Sequence, residues 1–162
     1  MLLLLVRHAQ AEEQSATKYP DDTVRPLVPK GKKVQARVSK ELRRRKLIPD
    51  KVFSSPWKRA WQTARILVEE TGLPKSARVE CEALAAAPDL ARIAEAVGAV
   101  EADATIALVG HEPWMSELAA LLLTGKGDGV QVDYPKSGVM GIEVESLNGE
   151  GGSGTLRFFL TP

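Results

Sequence analysis

The sequence predicts a single α/β domain with a mainly parallel β-sheet. Short apolar or β-branched segments alternate with longer amphipathic segments, which is the pattern of repeated βαβ units. The chain has 162 residues, of which 44% are hydrophobic and 27% charged, close to the averages of globular proteins. A chain of this length can bury a core without disulfides or metals, so residues 1–162 are expected to form one domain.

The predicted elements follow one another as strand and helix. Four strands are expected near residues 2–6, 51–54, 77–80 and 104–109. Four amphipathic helices are expected over Gly31 to Lys46, Pro56 to Thr71, Pro88 to Val100 and Pro113 to Thr124. The segments Val139 to Val144 and Thr155 to Leu160 flank the turn-rich sequence NGEGGSG, which predicts an antiparallel hairpin at the edge of the sheet. The loop Ala9 to Lys30 is long for a compact domain, and such loops are usually functional.

Composition and charge narrow the class of protein. The 22 basic and 21 acidic residues leave a net charge of +1, which demands neither a nucleic acid nor a membrane as partner. The apolar start, Leu2 to Val6, is too short for a signal peptide, and no later stretch approaches the roughly 20 apolar residues of a membrane span. The single cysteine, Cys81, has no internal disulfide partner and is expected to be a buried, inert thiol. These features predict a soluble cytoplasmic protein.

The two histidines of the chain occupy equivalent places. His8 follows the first predicted strand and His111 follows the fourth, in the segments LLLLVRH and ATIALVGH. The carboxyl ends of parallel strands share one edge of the sheet, where these folds bind ligands. A lone histidine is more often structural, but two histidines at strand ends favour a functional site.

A third segment adds a positive charge to this edge. In VFSSPWKRAWQTA a strand leads through Pro56 into a helix, and Arg59 lies in the first helical turn. The positive helix end and the guanidinium both favour an anion there. Arg7 and Arg59 are expected to converge on one oxyanion, the alternative being that Arg59 solvates a helix surface.

Four segments together resemble the histidine phosphatase superfamily. VRHA (Val6 to Ala9), SSPWKRAWQTA (Ser54 to Ala64) and VGHEP (Val109 to Pro113) are similar to its three signatures, and VRPLVPKGKKVQA (Val24 to Ala36) resembles a fourth segment. Their order and spacing agree along the whole chain. Without a long helical insertion after WQTA, the chain most resembles the short bacterial SixA-type phosphohistidine phosphatases. The resemblance implies a phosphoglycerate mutase-like fold, a three-layer sandwich with helices on both faces of the sheet.

The resemblance also implies roles for four residues. His8 would attack phosphorus and form a phosphohistidine intermediate, and water would then release inorganic phosphate. Arg7, Arg59 and a protonated His111 would stabilise the phosphoryl oxygens. No metal and no cofactor are expected, because side chains supply the positive charge.

The spacing of residues excludes two other interpretations of the chain, a zinc site and a cysteine phosphatase. The segment HEPWM is not the zinc motif HExxH, because Met115 occupies the place of its second histidine. Cys81 is not a cysteine-phosphatase nucleophile, because Ala87 stands where that mechanism requires an arginine.

The general acid and one further arginine are harder to assign. The resemblance places an acid after the third strand, where Glu82 is the chosen candidate, although a surface carboxylate is an equally good interpretation. Arg25 either reaches the phosphate pocket or pairs with Asp21 or Asp22 and fixes the long loop.

Several other side chains have a structural interpretation as the default. Trp57 and Trp61 share a helix face and are expected in core or rim packing, with a ring at the pocket mouth as the alternative. The run Arg43 to Lys46 suits the negative end of the first helix and favours a solvated face over a docking patch for an acidic partner. Glu112 is expected to charge the start of the fourth helix rather than take part in catalysis.

The expected activity is the dephosphorylation of a phosphohistidine-bearing protein, such as a phosphotransfer domain or a phosphocarrier. Imidazole leaves phosphorus more readily than an alkoxide does and needs only a weak acid. Because the sequence shows no evident general acid, a phosphohistidine is the favoured substrate. The alternatives are a phosphomonoesterase acting on a small metabolite, such as a sugar or nucleotide phosphate, and a silent phosphate-binding module. The module is disfavoured because Arg7, His8, Arg59 and His111 are all present.

Overall fold

The computed structural model describes all residues, 1–162, as one sheet flanked by helices. The six strands are β1 (Leu2–Arg7), β2 (Lys51–Ser54), β3 (Arg78–Glu80), β4 (Thr105–Gly110), β5 (Val139–Glu143) and β6 (Thr155–Leu160). The four α-helices are α1 (Pro29–Arg44), α2 (Lys58–Thr71), α3 (Leu90–Val97) and α4 (Trp114–Thr124). Short 3-10 helices span Asp22–Val24, Lys75–Ala77 and Glu82–Ala85.

The strand order is β3-β2-β4-β1-β5-β6. Strands β1 to β4 pair in parallel, whereas β5 pairs antiparallel with both β1 and β6. The prediction of a mainly parallel sheet with an antiparallel C-terminal edge is therefore confirmed.

The first strand is buried on both faces of the sheet, as its continuous apolar sequence requires. Leu3 and Leu5 belong to the core under α3 and α4, while Leu4 and Val6 belong to the core under α1 and α2. Because successive strand residues point to opposite faces, β1 contributes to both cores at once. The result is three layers, with two helices on each side of the sheet.

Three of the predicted helices have boundaries that shift by two or three residues. Helix α2 begins at Lys58 rather than Pro56, because Trp57 keeps an extended backbone with ψ of 132°. Helix α3 is shorter than predicted: the Asp89 carboxylate accepts hydrogen bonds from two amides of the first turn, and Gly98 ends the helix. Helix α1 begins at Pro29, two residues before the predicted start.

The long loop after β1 is tied to the first turn of α1. The Val28 amide donates to the Gln10 carbonyl at 3.1 Å, and Ala11 and Leu27 form an antiparallel bridge. Gly31 lies so close to this backbone that a Cβ there would be 2.1 Å from the Gln10 oxygen. A residue without a side chain is therefore required at this contact.

None of the helices has the length and apolar character that a membrane span requires.

The contact at Gly31 predicts that Gly31→Ala destabilises the protein by about 1–3 kcal/mol, because the backbone must move to admit a methyl group. Denaturation in urea measures this change. Gly127→Ala is the matched control, since nothing lies within 4 Å of its added Cβ, and it should stay within about 0.5 kcal/mol of the parent. A stabilised Gly31→Ala variant, as expected for an open helix position, would contradict the described contact.

Candidate active site

Parallel pairing of β1 with β4 brings the two histidines together. Arg7 lies opposite Gly110 in this ladder, and the His8 amide donates to the Gly110 carbonyl at 3.0 Å. The rings of His8 and His111 follow directly, with their centroids 5.2 Å apart. Both side chains are buried.

The His8 ring is held in one tautomer. Its Nδ1 lies 2.7 Å from the Ala9 carbonyl, which can only accept, so Nδ1 carries the proton. Burial lowers the pKa of His8 to about 3, and the nearby charges of Arg59, Arg7 and Lys136 act in the same direction. His8 is therefore neutral near pH 7, with a lone pair on Nε2.

Arg59 lies against that lone pair rather than on a solvated surface. Its Nε donates to His8 Nε2 at 3.3 Å, and the residue is only 5% exposed. Its two remaining nitrogens contact one residue, Asp22: Nη1 donates to the carbonyl at 2.9 Å, and Nη2 lies 3.0 Å from the carboxylate. Burial lowers the pKa of Arg59 and Asp22 opposes this change.

Arg7 and Arg25 bring two further guanidiniums to the same place. Arg7 Nη1 donates to the Tyr134 carbonyl at 2.5 Å, while its buried Nε has no partner. Arg25 donates to the Asp22 carboxylate at 2.9 Å and to the Glu12 carbonyl at 2.6 Å. Both alternatives for Arg25 therefore hold, because it pairs with Asp22 and also lines the cavity beside His8.

Asp22 joins Arg25 to Arg59. The hydrogen bond from Arg25 lowers the pKa of the Asp22 carboxyl, and the charges of both arginines contribute. Asp22 is thus an anion that already neutralises part of the positive charge around His8.

His111 differs from the expectation of a protonated ring. Burial lowers its pKa to about 3, and the charges of His8 and Arg59 act in the same direction, so the ring is neutral near pH 7. Its Nε2 lies 2.8 Å from Ser55 Oγ, and its buried Nδ1 has no partner. Removal from water explains the neutral ring of His111, because it lowers the pKa. A bound anion would raise that pKa by favouring the protonated ring.

One polar cavity of about 460 Å³ lies at the carboxyl edge of the sheet. Its lining includes Arg7, His8, Arg25, Arg59 and His111. The cavity also contains Lys136 and three carboxylates, Glu12, Glu13 and Glu112. Glu112 accepts from the Ser116 amide and hydroxyl and so caps α4, in agreement with its expected place at the helix start.

The structure does not place Glu82 among the residues that line this cavity. Glu82 is exposed and begins the 3-10 helix after β3. Its assignment as the general acid stays a prediction that the lining of the cavity does not support.

The two tryptophans of α2 differ in position. The Trp57 ring lies 4.6 Å from His111 between centroids, and Arg59 Cζ lies 4.8 Å above it. Trp57 thus packs against two residues of the site, whereas Trp61 lies under Arg78 at 3.9 Å. Cys81 is buried, as expected, and burial raises the pKa of its thiol.

The segment Tyr134 to Gly138, which no sequence motif indicated, holds the end of β1. The Tyr134 hydroxyl donates to the Leu5 carbonyl at 2.5 Å and accepts from the Met140 amide at 3.2 Å. The Ser137 amide contacts the carbonyls of Arg7 and His8 at 3.2 and 3.3 Å. The turn residues Pro135 and Gly138 before β5 were the available signal, but they do not show which strand the turn contacts.

Comparisons with known proteins agree with this geometry. A family model described as the histidine phosphatase superfamily (branch 1) matches residues 3–83, half of the chain. A search among curated proteins found no significant match.

Solved structures share the fold. The protein histidine phosphatase SixA complexed with tungstate has a TM-score of 0.82 and 23% identity, covering 99% of this chain and 97% of its own. A mycobacterial glucosyl-3-phosphoglycerate phosphatase with VO3 has a TM-score of 0.69 and 18% identity, covering 97% of both chains. A phosphoserine phosphatase from Entamoeba histolytica has a TM-score of 0.65 and 16% identity, covering 99% and 97%.

At these identities the likeness concerns the fold. The family match includes the VRHA and SSPWKRAWQTA segments, which carry His8, Arg7 and Arg59. The chain belongs to the histidine phosphatase superfamily (branch 1).

Proposed function

We propose that this chain is a phosphatase that removes the phosphoryl group from a phosphohistidine of another protein. The observation that carries the proposal is the neutral His8, whose Nε2 bears a lone pair in a cavity lined by three arginines. A neutral imidazole is a nucleophile near pH 7, and guanidiniums are suited to phosphoryl oxygens.

In the first step, His8 Nε2 attacks phosphorus while the bond from phosphorus to the substrate imidazole breaks. The electron pair of that bond goes to the substrate nitrogen, which is protonated from water. Arg7, Arg25 and Arg59 face the charge that spreads over the phosphoryl oxygens. The Ala9 carbonyl, which accepts from Nδ1, stabilises the positive charge that develops on the His8 ring.

In the second step, water attacks the phosphorus of phosphorylated His8. The phosphorus–nitrogen bond breaks, its electron pair returns to Nε2, and inorganic phosphate leaves. Because the arginines supply the positive charge in both steps, we propose that the reaction needs no metal.

The choice of a phosphohistidine substrate rests on the leaving group. An alkoxide needs a strong acid, whereas imidazole leaves with the help of weak acids. Glu82, the predicted acid, does not line the cavity, which supports the weaker acid requirement of a phosphohistidine. An open site also supports a protein substrate, because Gln10, Glu13, Gln14 and Lys136 line the cavity and are exposed.

A second candidate function is the hydrolysis of small phosphomonoesters, such as sugar or nucleotide phosphates. Glu12 and Glu13 favour it, because both line the cavity and either carboxyl could protonate an alkoxide. The fold does not decide between the two, since it is shared with a protein histidine phosphatase and with a glucosyl-3-phosphoglycerate phosphatase.

The first prediction is rapid phosphate release from a phosphocarrier protein phosphorylated on histidine, with a metal chelator present. Para-nitrophenyl phosphate and a sugar phosphate serve as comparison substrates. His8→Ala should reduce release by at least about a thousandfold, because no other group can attack phosphorus. Glu82→Gln is the control and should match the parent.

Two outcomes would contradict the proposal. Faster turnover of the small esters would support the second function and direct attention to Glu12→Gln and Glu13→Gln. Equal rates for His8→Ala and the parent would indicate a phosphate-binding module without turnover.

The second prediction concerns protonation of the two histidines, which are the only ones in the chain. Their ring signals in NMR spectra should not titrate between about pH 8 and pH 5, because each folded-state pKa is about 3. The unfolded chain, with ordinary values near 6.5, binds more protons below about pH 6.5, so the free energy of unfolding falls as the pH falls. Each histidine contributes a loss of about 2 kcal/mol between about pH 7 and pH 5.

The variant His8→Gln isolates one of these contributions. Its stability, measured in urea, should fall less than that of the parent over the same pH range. A ring that titrates near its ordinary value in the folded protein would disprove the inferred neutral site.

The third prediction concerns Asp22, whose carboxylate competes with phosphate for Arg25 and Arg59. Asp22→Asn should lower the inhibition constant of inorganic phosphate about fivefold, or ~1 kcal/mol, because a negative charge leaves the site. Asp21→Asn is the matched control, since Asp21 bonds to Thr23. Weaker phosphate inhibition in Asp22→Asn would instead mean that Asp22 acts by holding the arginines in place.

A further inference from the structure

The exposed face of α1 has a continuous row of basic side chains. The row is spaced at three and four residues, so its members share one helix face. We refer to these five residues as the basic stripe: Lys30, Lys33, Arg37, Lys40 and Arg44. All five are exposed, while Gly31, Gln35, Val38 and Leu42 form the buried face of the helix.

The stripe is poorly neutralised within the protein. Lys40 lies 3.7 Å from Glu70, and Arg44 pairs with Glu41 at 2.7 Å. Lys30, Lys33 and Arg37 have no carboxylate oxygen within 4.0 Å. Residues 30–46 contain nine of the 22 basic residues and one of the 21 acidic residues. Basic residues are thus enriched on α1 and in the two residues that follow it, in a protein that is nearly neutral as a whole.

The stripe begins beside the proposed active site. The first turn of α1 contacts Gln10 through Val28 and Gly31, and Gln10 lines the cavity of His8. From Lys30 to Arg37 the helix rises about 11 Å. The rim of the cavity carries charges of both signs, Glu13 and Lys136 among them, and Glu12 is paired with Lys18 at 3.1 Å. The stripe, in contrast, is uniformly basic.

We propose that the basic stripe docks an acidic face of the protein whose phosphohistidine enters the cavity. This inference rests on the proposed function and adds the chemistry of the partner. The partner's carboxylates would lie beside its phosphohistidine rather than around it, because the uniformly basic stripe begins beside the cavity and not at its rim. A helix with glutamates three and four residues apart matches the spacing of the stripe.

A protein partner fits the stripe better than a membrane or a nucleic acid. A membrane-surface helix inserts its apolar face, but that face of α1 is packed on the sheet. Single-stranded nucleic acids are bound by basic grooves with aromatic rings for stacking, and α1 has no aromatic residue.

The test compares two double variants with the same change in charge. Lys33→Glu with Arg37→Glu reverses the middle of the stripe. Lys32→Glu with Arg43→Glu, at exposed positions of the same helix outside the stripe, is the matched control. The thermal unfolding midpoint of each variant shows whether it remains folded.

Binding is measured in a His8→Ala background, which prevents turnover. The probe is a synthetic helical peptide with one phosphohistidine and glutamates along one face; a second peptide has glutamines at those positions. The stripe variant should bind the acidic peptide about tenfold more weakly than the parent, and the control variant should stay within about twofold. Raising the salt from about 50 mM to about 300 mM should weaken binding of the acidic peptide only.

Equal effects of both double variants, or equal binding of both peptides, would overturn the docking proposal and indicate a solvated face. Tighter binding of anionic phospholipid vesicles or of single-stranded DNA, lost in the stripe variant alone, would overturn the choice of a protein partner. The proposed function fails separately, when the protein with His8 intact releases no phosphate from either peptide.

Discussion

The register between β1 and β4 is the constraint on which the site depends. Their parallel pairing sets Arg7 opposite Gly110 and brings the next residues, His8 and His111, side by side. A shift by one residue would turn every side chain of β1 to the other face of the sheet. Such a shift is strongly opposed, because Leu3 to Val6 fill two separate cores. The two hydrophobic cores thus fix the geometry of a polar site that lies outside them.

Burial gives the same site its electrostatic character. Removal from water keeps both histidines neutral, although two guanidiniums and a lysine would already disfavour protonation of His8. It also leaves Arg7 Nε and His111 Nδ1 without partners in the protein. Buried polar atoms without hydrogen bonds are costly, on the order of 1–3 kcal/mol each. An oxyanion that accepts from Arg7 Nε would recover part of this cost, which supports the proposed binding of a phosphoryl group.

Local patterns in the sequence were sufficient to predict the strands and the residues that follow their ends. Apolar segments predicted β1 and β4, and the rule for parallel sheets placed His8 and His111 at one edge. Glu82 does not line the cavity, and its place depends on how the chain packs after β3, which the sequence does not encode locally. The protonation state of His111 and the contacts of Tyr134 also depend on burial in the folded protein. This burial cannot be predicted from residue spacing or composition.

The contacts of the Tyr134 to Gly138 segment link His8 to the C-terminal part of the chain. This segment leads directly into β5, which lies between β1 and the edge strand β6. The guanidinium of Arg7 is anchored to its backbone, as is the carbonyl of His8. The C-terminal hairpin is therefore part of the scaffold of the candidate site, although none of its side chains lines the cavity. Shortening the C-terminus, or attaching a purification tag that loosens β6, would disturb His8 from a distance, so an affinity handle is better placed elsewhere.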